Sequence, residues 1–423
     1  MGTISVINGA LTIRARQRNE IISTFVRSEN SGKNPGAYVA EPKHGFQQHV
    51  VSFDANSLYP NIMISLNLSP ETKIGKIEKT EKGNVNIYHV SGKCFELTPA
   101  AFANYITTEQ CAVSKAGVLF SQKKKGIFPE FLDYYYQKRV VVREQLSKAK
   151  QVLITLEKGT NTYREQQFEV ERLHTTQMVI KILINSAYGY TGNKQAPIGD
   201  DDIAASVTLT GQAVIKQSNE LVKQYIRLKV PDVTESELED CIVYNDTDSN
   251  YVSLSLLVNK GLIKFDAPTG VHEETYRTVE DIEKFLNDGI NEWAKKALRT
   301  IDSRFVFKRE SISDVALFLQ KKRYVMHILD DEGIKVNKFK YTGVEVVRTT
   351  MPNAIKPYAK KIIETMLMTR SLKETNDILT ETYNIFKTLP IEEISFVMGI
   401  RNYHKYASGC KGVNTPNRTP MHV

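Results

Sequence analysis

The stretch VYNDTDSNYVSL (residues 243–254) places Asp246 and Asp248 two positions apart between strand-forming residues. Cys241, Ile242, Val243 and Tyr244 precede them, and Tyr251 and Val252 follow. That pattern predicts a β-hairpin with both carboxylates at its turn. Carboxylates so close repel and raise one another's pKa unless a cation lies between them. Two readings stand: a solvated turn, or a metal site.

Working outward, HVVSFD (49–54) predicts a buried strand ending on Asp54. SLYPNIMISLNL then predicts a turn and short helix, with Pro60 suited to a first turn. Residues 73–98 predict a small β excursion. Two long helices follow, one ending near Gly159 and one near Gly189, joined by a short loop as an antiparallel pair. Further helices are expected at 203–226, 279–299 and across 352–398, and KKRYVMHIL (321–329) predicts a strand. Residues 28–36 and 407–423 are loops on composition. If the Asp54 strand neighbours the hairpin, three carboxylates converge at one edge of a sheet. Such oxygen ligands suit Mg²⁺ or Mn²⁺, although a helix cap at Asp54 is the plainer alternative.

The two long helices bear on that choice. Lys181, Asn185 and Tyr188 fall at i, i+4 and i+7 within the apolar run MVIKILINSAYGY. A lysine and an asparagine in such a run need partners, and a nucleoside triphosphate would supply them. Arg139 and Arg143 share a face of the preceding helix, whereas Lys138 and Lys148 suit a solvated surface. Packed antiparallel, the helices would line a basic groove aimed at the carboxylates.

The chain has 423 residues, enough for two to four domains, and is 41% hydrophobic with no apolar run long enough for a membrane span. A net charge of +8 and a pI near 9.0 give mild support for a polyanionic partner. Cys94, Cys111, Cys241 and Cys410 show no C-x-x-C spacing and read as free thiols in a reducing compartment. His404, Cys410 and His422 are too irregularly placed for zinc. The first twenty residues lack a secretory core, and Val6 breaks the myristoylation pattern after Gly2.

DANSLYPNI (54–62), KILINSAYG (181–189) and YNDTDS (244–249) resemble, in order, the A, B and C signatures of family B DNA polymerases. NPGAYVAEP (34–42) is similar to the family's segment between exonuclease and polymerase regions. SPET (69–72), KKRY (321–324) and TGVEVVRTTMP (342–352) look most like the replicative enzymes of T-even-type tailed phages. The resemblance runs from about residue 34 to the end.

The resemblance implies an α+β right-hand polymerase with an antiparallel palm sheet. Residues 1–53 would form a linker and the start of the palm, 54–125 and 194–345 the palm, 126–193 two-helix fingers, and 346–423 a partial, truncated thumb. It further implies a DNA-templated polymerase that adds dNMPs to a primer 3′-hydroxyl with two Mg²⁺ ions, for which Mn²⁺ can substitute. Asp54 and Asp248 would be the metal ligands, with Asp246 at the edge and Lys181 counted with the catalytic set. Ser57, Leu58, Tyr59, Arg139, Arg143, Lys181, Asn185 and Tyr188 would bind the nucleotide. Thr247, Lys322 and Tyr324 would contact primer–template DNA.

The sequence departs from the family in three ways. Asn245 stands where the family has Gly, and Gly permits positive-φ geometry that Asn enters at some cost. Only 53 residues precede Asp54, none matching an acidic exonuclease site, and the thumb resemblance stops mid-motif. A split gene or fragment is therefore expected. Separate polypeptides would carry the 3′–5′ exonuclease and the rest of the thumb, and a sliding clamp would be recruited through elements beyond this C-terminus. Location is expected in the host-cell cytoplasm, with no membrane. The alternatives are a protein-primed polymerase, for which 73–112 leaves room, a reverse transcriptase, disfavoured by D-T-D, and a non-catalytic DNA-binding remnant.

Overall fold

The computed structural model describes residues 2–20, 35–193, 195–266 and 270–396. Residues 28–34 of the loop expected at 28–36, the tail at 407–423 and the irregular set His404, Cys410 and His422 lie outside them.

The chain opens with helix α1 (Thr3–Gln17), and strand β1 (Gly45–Ala55) runs into α2 (Leu58–Ser65). A five-stranded sheet follows, built from β2 (Lys73–Lys79), β3 (Val85–His89), β4 (Cys94–Leu97), β5 (Cys111–Val113) and β6 (Val118–Ser121), with α3 (Pro99–Thr108) before β5. Its order is β4-β3-β2-β6-β5. Next come α4 (Ile127–Thr155), α5 (Asn161–Thr191), α6 (Asp201–Lys229), α7 (Glu235–Cys241) and the hairpin of β7 (Ile242–Asp246) and β8 (Ser249–Ser253). After α8 (Ser255–Asn259), the short pair β9 (Phe265–Asp266) and β10 (Gly270–Val271), and α9 (Glu273–Ala297), three long strands follow: β11 (Phe307–Gln320), β12 (Arg323–Asp331) and β13 (Ile334–Thr342). Helices α10 (Lys356–Thr369), α11 (Leu372–Phe386) and α12 (Ile391–Ile394) complete the described chain.

The larger sheet, ordered β13-β12-β11-β1-β8-β7, is antiparallel throughout. Both faces are covered, which is why β1 reads as a continuous apolar run rather than an alternation. Val51 and Phe53 join the main core with α6 and α9, whereas Val50 joins Tyr244, Tyr251, Phe318 and Tyr324 on the other face. Helix α9 presents Val279, Ile282, Leu286, Ile290 and Ala294 as one buried stripe. Gly289 lets α6 approach it, since a Cβ there would lie 2.5 Å from Leu221 Cδ2.

The α+β expectation holds, as do the hairpin and the two long helices. Helix α1 was not legible as an element. Its buried residues Ile7, Leu11 and Ala15 recur at i, i+4 and i+8 against α4 and α5, and Tyr190 Oη donates to Asn8 Oδ1 at 2.9 Å. One expectation is corrected: the run around Lys181 is not an apolar interior. Val179 is 58% exposed and Ile182 54%, because only one stripe of α5 meets its neighbours. No helix of the described residues is long and apolar enough to cross a membrane.

Candidate active site

Asp54 faces Ser249 across the β1–β8 ladder, and Ser249 Oγ donates to Asp54 Oδ1 at 3.0 Å. Beside them, Ala55 N donates to the Asp248 carbonyl at 2.8 Å. The hairpin turns within two residues, Thr247 and Asp248. Asp248 N bonds back to Asp246 O at 2.6 Å, and Thr247 is held at φ +59°, which is costly for a β-branched residue. Residues 38–43 keep it there. They run along the exposed edge of β7, with Ala40 N on Asn245 O at 3.1 Å, Lys43 N on Val243 O at 2.9 Å and Tyr38 O accepting Thr247 N at 3.0 Å. Residues 38–43, most of them from the NPGAYVAEP segment, thus close the sheet edge and brace the turn.

Burial, and then the neighbouring Asp54 charge, push the Asp248 carboxyl from its usual 3.8 up to about 7. Burial pushes Asp54 up to about 6, with the Ser249 hydroxyl, Lys340 and Lys181 opposing and Glu310 adding to the rise. Two carboxylates that resist ionising together suit a hard divalent cation between them. Among the described residues no group of three or more His, Cys, Asp or Glu is arranged to hold a metal alone. Any ion held by this pair would need further oxygens from substrate or water, as Mg²⁺ commonly does.

Asp54 opens onto a cleft of about 1100 Å³. Its sheet side is formed by Asp54, Asn56, Ser57, Lys308, Arg309 and Glu310, and its helical side carries Arg139 and Arg143 on α4 and Lys181 on α5. Arg139 Nε is buried without a hydrogen-bond partner, and burial and Arg143 push its pKa down. Among the described residues, none of Arg139, Arg143 and Lys181 forms an ion pair. Arg139, Arg143 and Lys181, unpaired across the cleft from Asp54 and its neighbour Asp248, make a socket for a polyanion that carries divalent metal.

The other expected residues divide. Tyr59 and Tyr188 meet with ring centroids 4.7 Å apart, and Tyr59 rests on α6, where a Cβ at Gly211 would come 3.0 Å from its ring. Burial, then Tyr188 and Asp248, raise the Tyr59 hydroxyl to about 12. Leu58 is buried in the core, whereas Asn185 is exposed on α5. Asp246 pairs with Lys322 Nζ at 2.8 Å and accepts from Thr247 Oγ1 at 3.1 Å. Tyr324 departs from the expectation of a DNA-facing ring. It is 4% exposed, its hydroxyl shared with Tyr251 at 2.7 Å inside the aromatic cluster.

The expected backbone cost at Asn245 is also corrected. Asn245 has no positive φ; Thr247 takes that geometry. The Asn245 side chain, 1% exposed, instead exchanges hydrogen bonds of 2.9 and 3.1 Å with Asn219 on α6. Asn250 adds a donor to Asn219 at 2.7 Å, tying the hairpin to that helix. Sequence reasoning also missed Lys150 and His174 at the cleft. Both were legible by period, Lys150 seven residues after Arg143 and His174 seven before Lys181.

A family profile described as DNA polymerase family B matches residues 2–402. A DNA-directed DNA polymerase of Escherichia phage RB69 is 25% identical over 96% of this chain and 48% of its own length. The enzyme of the same name from Enterobacteria phage T4 is 26% identical over 84% of this chain and 42% of its own. DNA polymerase 1 of Pyrococcus abyssi is 26% identical, covering 82% and 34% respectively. The chain spans about half the length of the two phage relatives it matches. With a match across nearly its whole length, the chain belongs to DNA polymerase family B.

Proposed function

We propose that this chain is a DNA-templated DNA polymerase core that extends a primer 3′-hydroxyl with dNMPs. The observation that carries the reading is Asp54, with Asp248 beside it, at a cleft whose far side holds Arg139, Arg143 and Lys181 without ion-pair partners among the described residues. In this reading the antiparallel six-stranded sheet is the palm, the α4–α5 hairpin the fingers, and the region from residue 346 a thumb.

Arg139, Arg143 and Lys181 bind and orient the triphosphate, the arginines as forks and the lysine as a point charge. The first turn of α2, at Ser57 and Leu58, adds backbone donors to the phosphates. The Tyr59–Tyr188 pair lies under sugar and base, where the bulk of Tyr59 excludes a 2′-hydroxyl. Asp54 and Asp248 are the residues that would hold Mg²⁺, in two sites, or Mn²⁺. Bound there, the cations would lower the pKa of the attacking hydroxyl and neutralise charge on the transferring phosphate. Lys322 and Thr247 would contact the backbone of the primer–template duplex, with the Tyr244 hydroxyl accepting Lys322 N at 2.9 Å and Tyr324 acting only through the aromatic cluster beneath. A companion polypeptide with 3′–5′ exonuclease activity, and a site of action in the cytoplasm of a phage-infected host, complete the proposal.

Extension of a labelled primer on a DNA template with Mg²⁺ and four dNTPs tests this reading. Template-directed, Mg²⁺-dependent extension is expected. Duplex binding with no extension, alone and with an added exonuclease polypeptide, would favour a DNA-binding remnant.

A further inference from the structure

The segment Asn67–Lys73, which contains SPET, has no part in the chemistry above, yet it bonds to the start of α4 and, through Asp200, reaches the end of α5. Helix α4 receives no cap from its own Gly126. Its opening N–H groups are taken up from this distant segment instead. Asn67 Oδ1 accepts Gly126 N at 2.8 Å, Glu71 Oε1 accepts Ile127 N at 2.5 Å, and Ser69 Oγ accepts Phe128 N at 3.4 Å. Ser69 Oγ also donates to Glu71 Oε2 at 2.6 Å, and Asn67 Nδ2 donates to the carbonyls of Ser121 and Lys124 at 2.6 and 2.8 Å. A carboxylate at that helix end is favoured by the N–H groups it accepts and by the dipole. The fit is close, since a Cβ at Gly126 would lie 2.5 Å from Ser69 Cβ.

Lys73 grips the other end. Its Nζ lies 2.9 Å from Asp200 Oδ2 and 2.7 Å from Asp202 Oδ2. Asp200 caps α6 by accepting Asp202 N and Ile203 N, and its own N donates to the carbonyl of Thr191, the last residue of α5, at 2.9 Å. One seven-residue segment therefore fastens the chain where it enters α4 and where it leaves α5.

We propose that Asn67–Lys73 is the fulcrum of the α4–α5 hairpin, with Glu71 and Lys73 as positioning residues that set the reach of Arg139, Arg143 and Lys181 toward Asp54. The proposal rests on the polymerase reading for its catalytic consequence alone. Arg139 lies twelve residues beyond Ile127, about 18 Å along the helix, so a tilt of about 5° at the base moves it by about 1.5 Å. A misplacement of about 1 Å is enough to cost on the order of a hundredfold in rate.

The test is Glu71→Ala in the full chain, read by amide hydrogen exchange and by single-nucleotide incorporation. Exchange is expected to quicken by about tenfold both at 126–132 and at 190–203, a stretch Glu71 does not touch, with β11 and β12 unchanged. The KM for dNTP should rise by about ten- to a hundredfold while the Kd for duplex DNA stays within about twofold. Quickening confined to 126–132 would overturn the fulcrum, and so would an unchanged KM in an active enzyme. Should Glu71→Ala fail to fold, Glu71→Gln and Lys73→Met carry the same comparison with side-chain shape kept. A wild type that incorporates nothing, alone and with an added exonuclease polypeptide, would sink the polymerase reading, and the exchange pattern alone would then decide the fulcrum.

Discussion

Asp248→Asn is expected to lower nucleotide incorporation by about a thousandfold or more while making the metal-free protein more stable at pH 8. The two effects have one cause. Asp248 sits at about 7 in the folded chain against an ordinary 3.8, chiefly through burial and then through Asp54. A carboxyl raised in the folded state favours folding while it is protonated. That contribution is fully present below about 4 and is lost as the pH rises through about 7. Converted in full, the displacement amounts to about 4 kcal/mol, and water at the mouth of the cleft reduces it to about 1–3 kcal/mol. Asparagine keeps the shape without the charge, so its melting curve should gain on the wild type between pH 6 and pH 8. Adding Mg²⁺ should raise the wild-type melting temperature more at pH 8 than at pH 6, and that of the variant little. A variant less stable than the wild type at pH 8 would identify Asp248 as a satisfied structural carboxylate.

Lys181→Ala carries the second large effect. Lys181 lies on the exposed stripe of α5, lines the cleft and lowers the Asp54 pKa through space. It forms no ion pair among the described residues, so removing it breaks none. Loss of one charge-assisted contact to a phosphate costs about 3–4 kcal/mol in a closed site, or about a hundred- to a thousandfold in kcat/KM for dNTP. Duplex affinity and melting temperature should stay close to wild type. Lys181→Arg should recover only part of the loss, because a planar fork does not replace a compact ammonium. A matching loss of duplex affinity would place Lys181 on the DNA path rather than on the triphosphate.

How much was legible depended on the distance over which each feature is encoded. The carboxylates and the helical stripe of Lys181 follow local periods of two and 3.6 residues, and the structure brings Asp54, Asp248, Arg139, Arg143 and Lys181 to one place. Helix α1 carries Gly9 and several β-branched residues, so its propensity is poor and tertiary packing of Ile7, Leu11 and Ala15 decides it. Asn245 looked like a backbone problem because its partner Asn219 lies 26 positions earlier on another helix. Tyr324 looked like a surface ring because the fold that buries it pairs β12 with β11 and places Tyr251 beneath it. The same holds for SPET. Its hydrogen bonds land on Ile127 and Phe128, beside that of Asn67 to Gly126, and no local pattern announces them.

The central claim is that Asp54 and Asp248 share divalent metal while Arg139, Arg143 and Lys181 hold the triphosphate. The most direct measurement is a crystal of the full chain with a 3′-terminated primer–template, an incoming dNTP and Mn²⁺, examined at the manganese absorption edge. Anomalous peaks between the Asp54 and Asp248 carboxylates, with phosphates against the three cations, are the predicted result. Manganese gathered instead around Glu280, Glu283 and Glu332 on the acidic rim of the cleft, with the aspartate pair bare, would contradict the account.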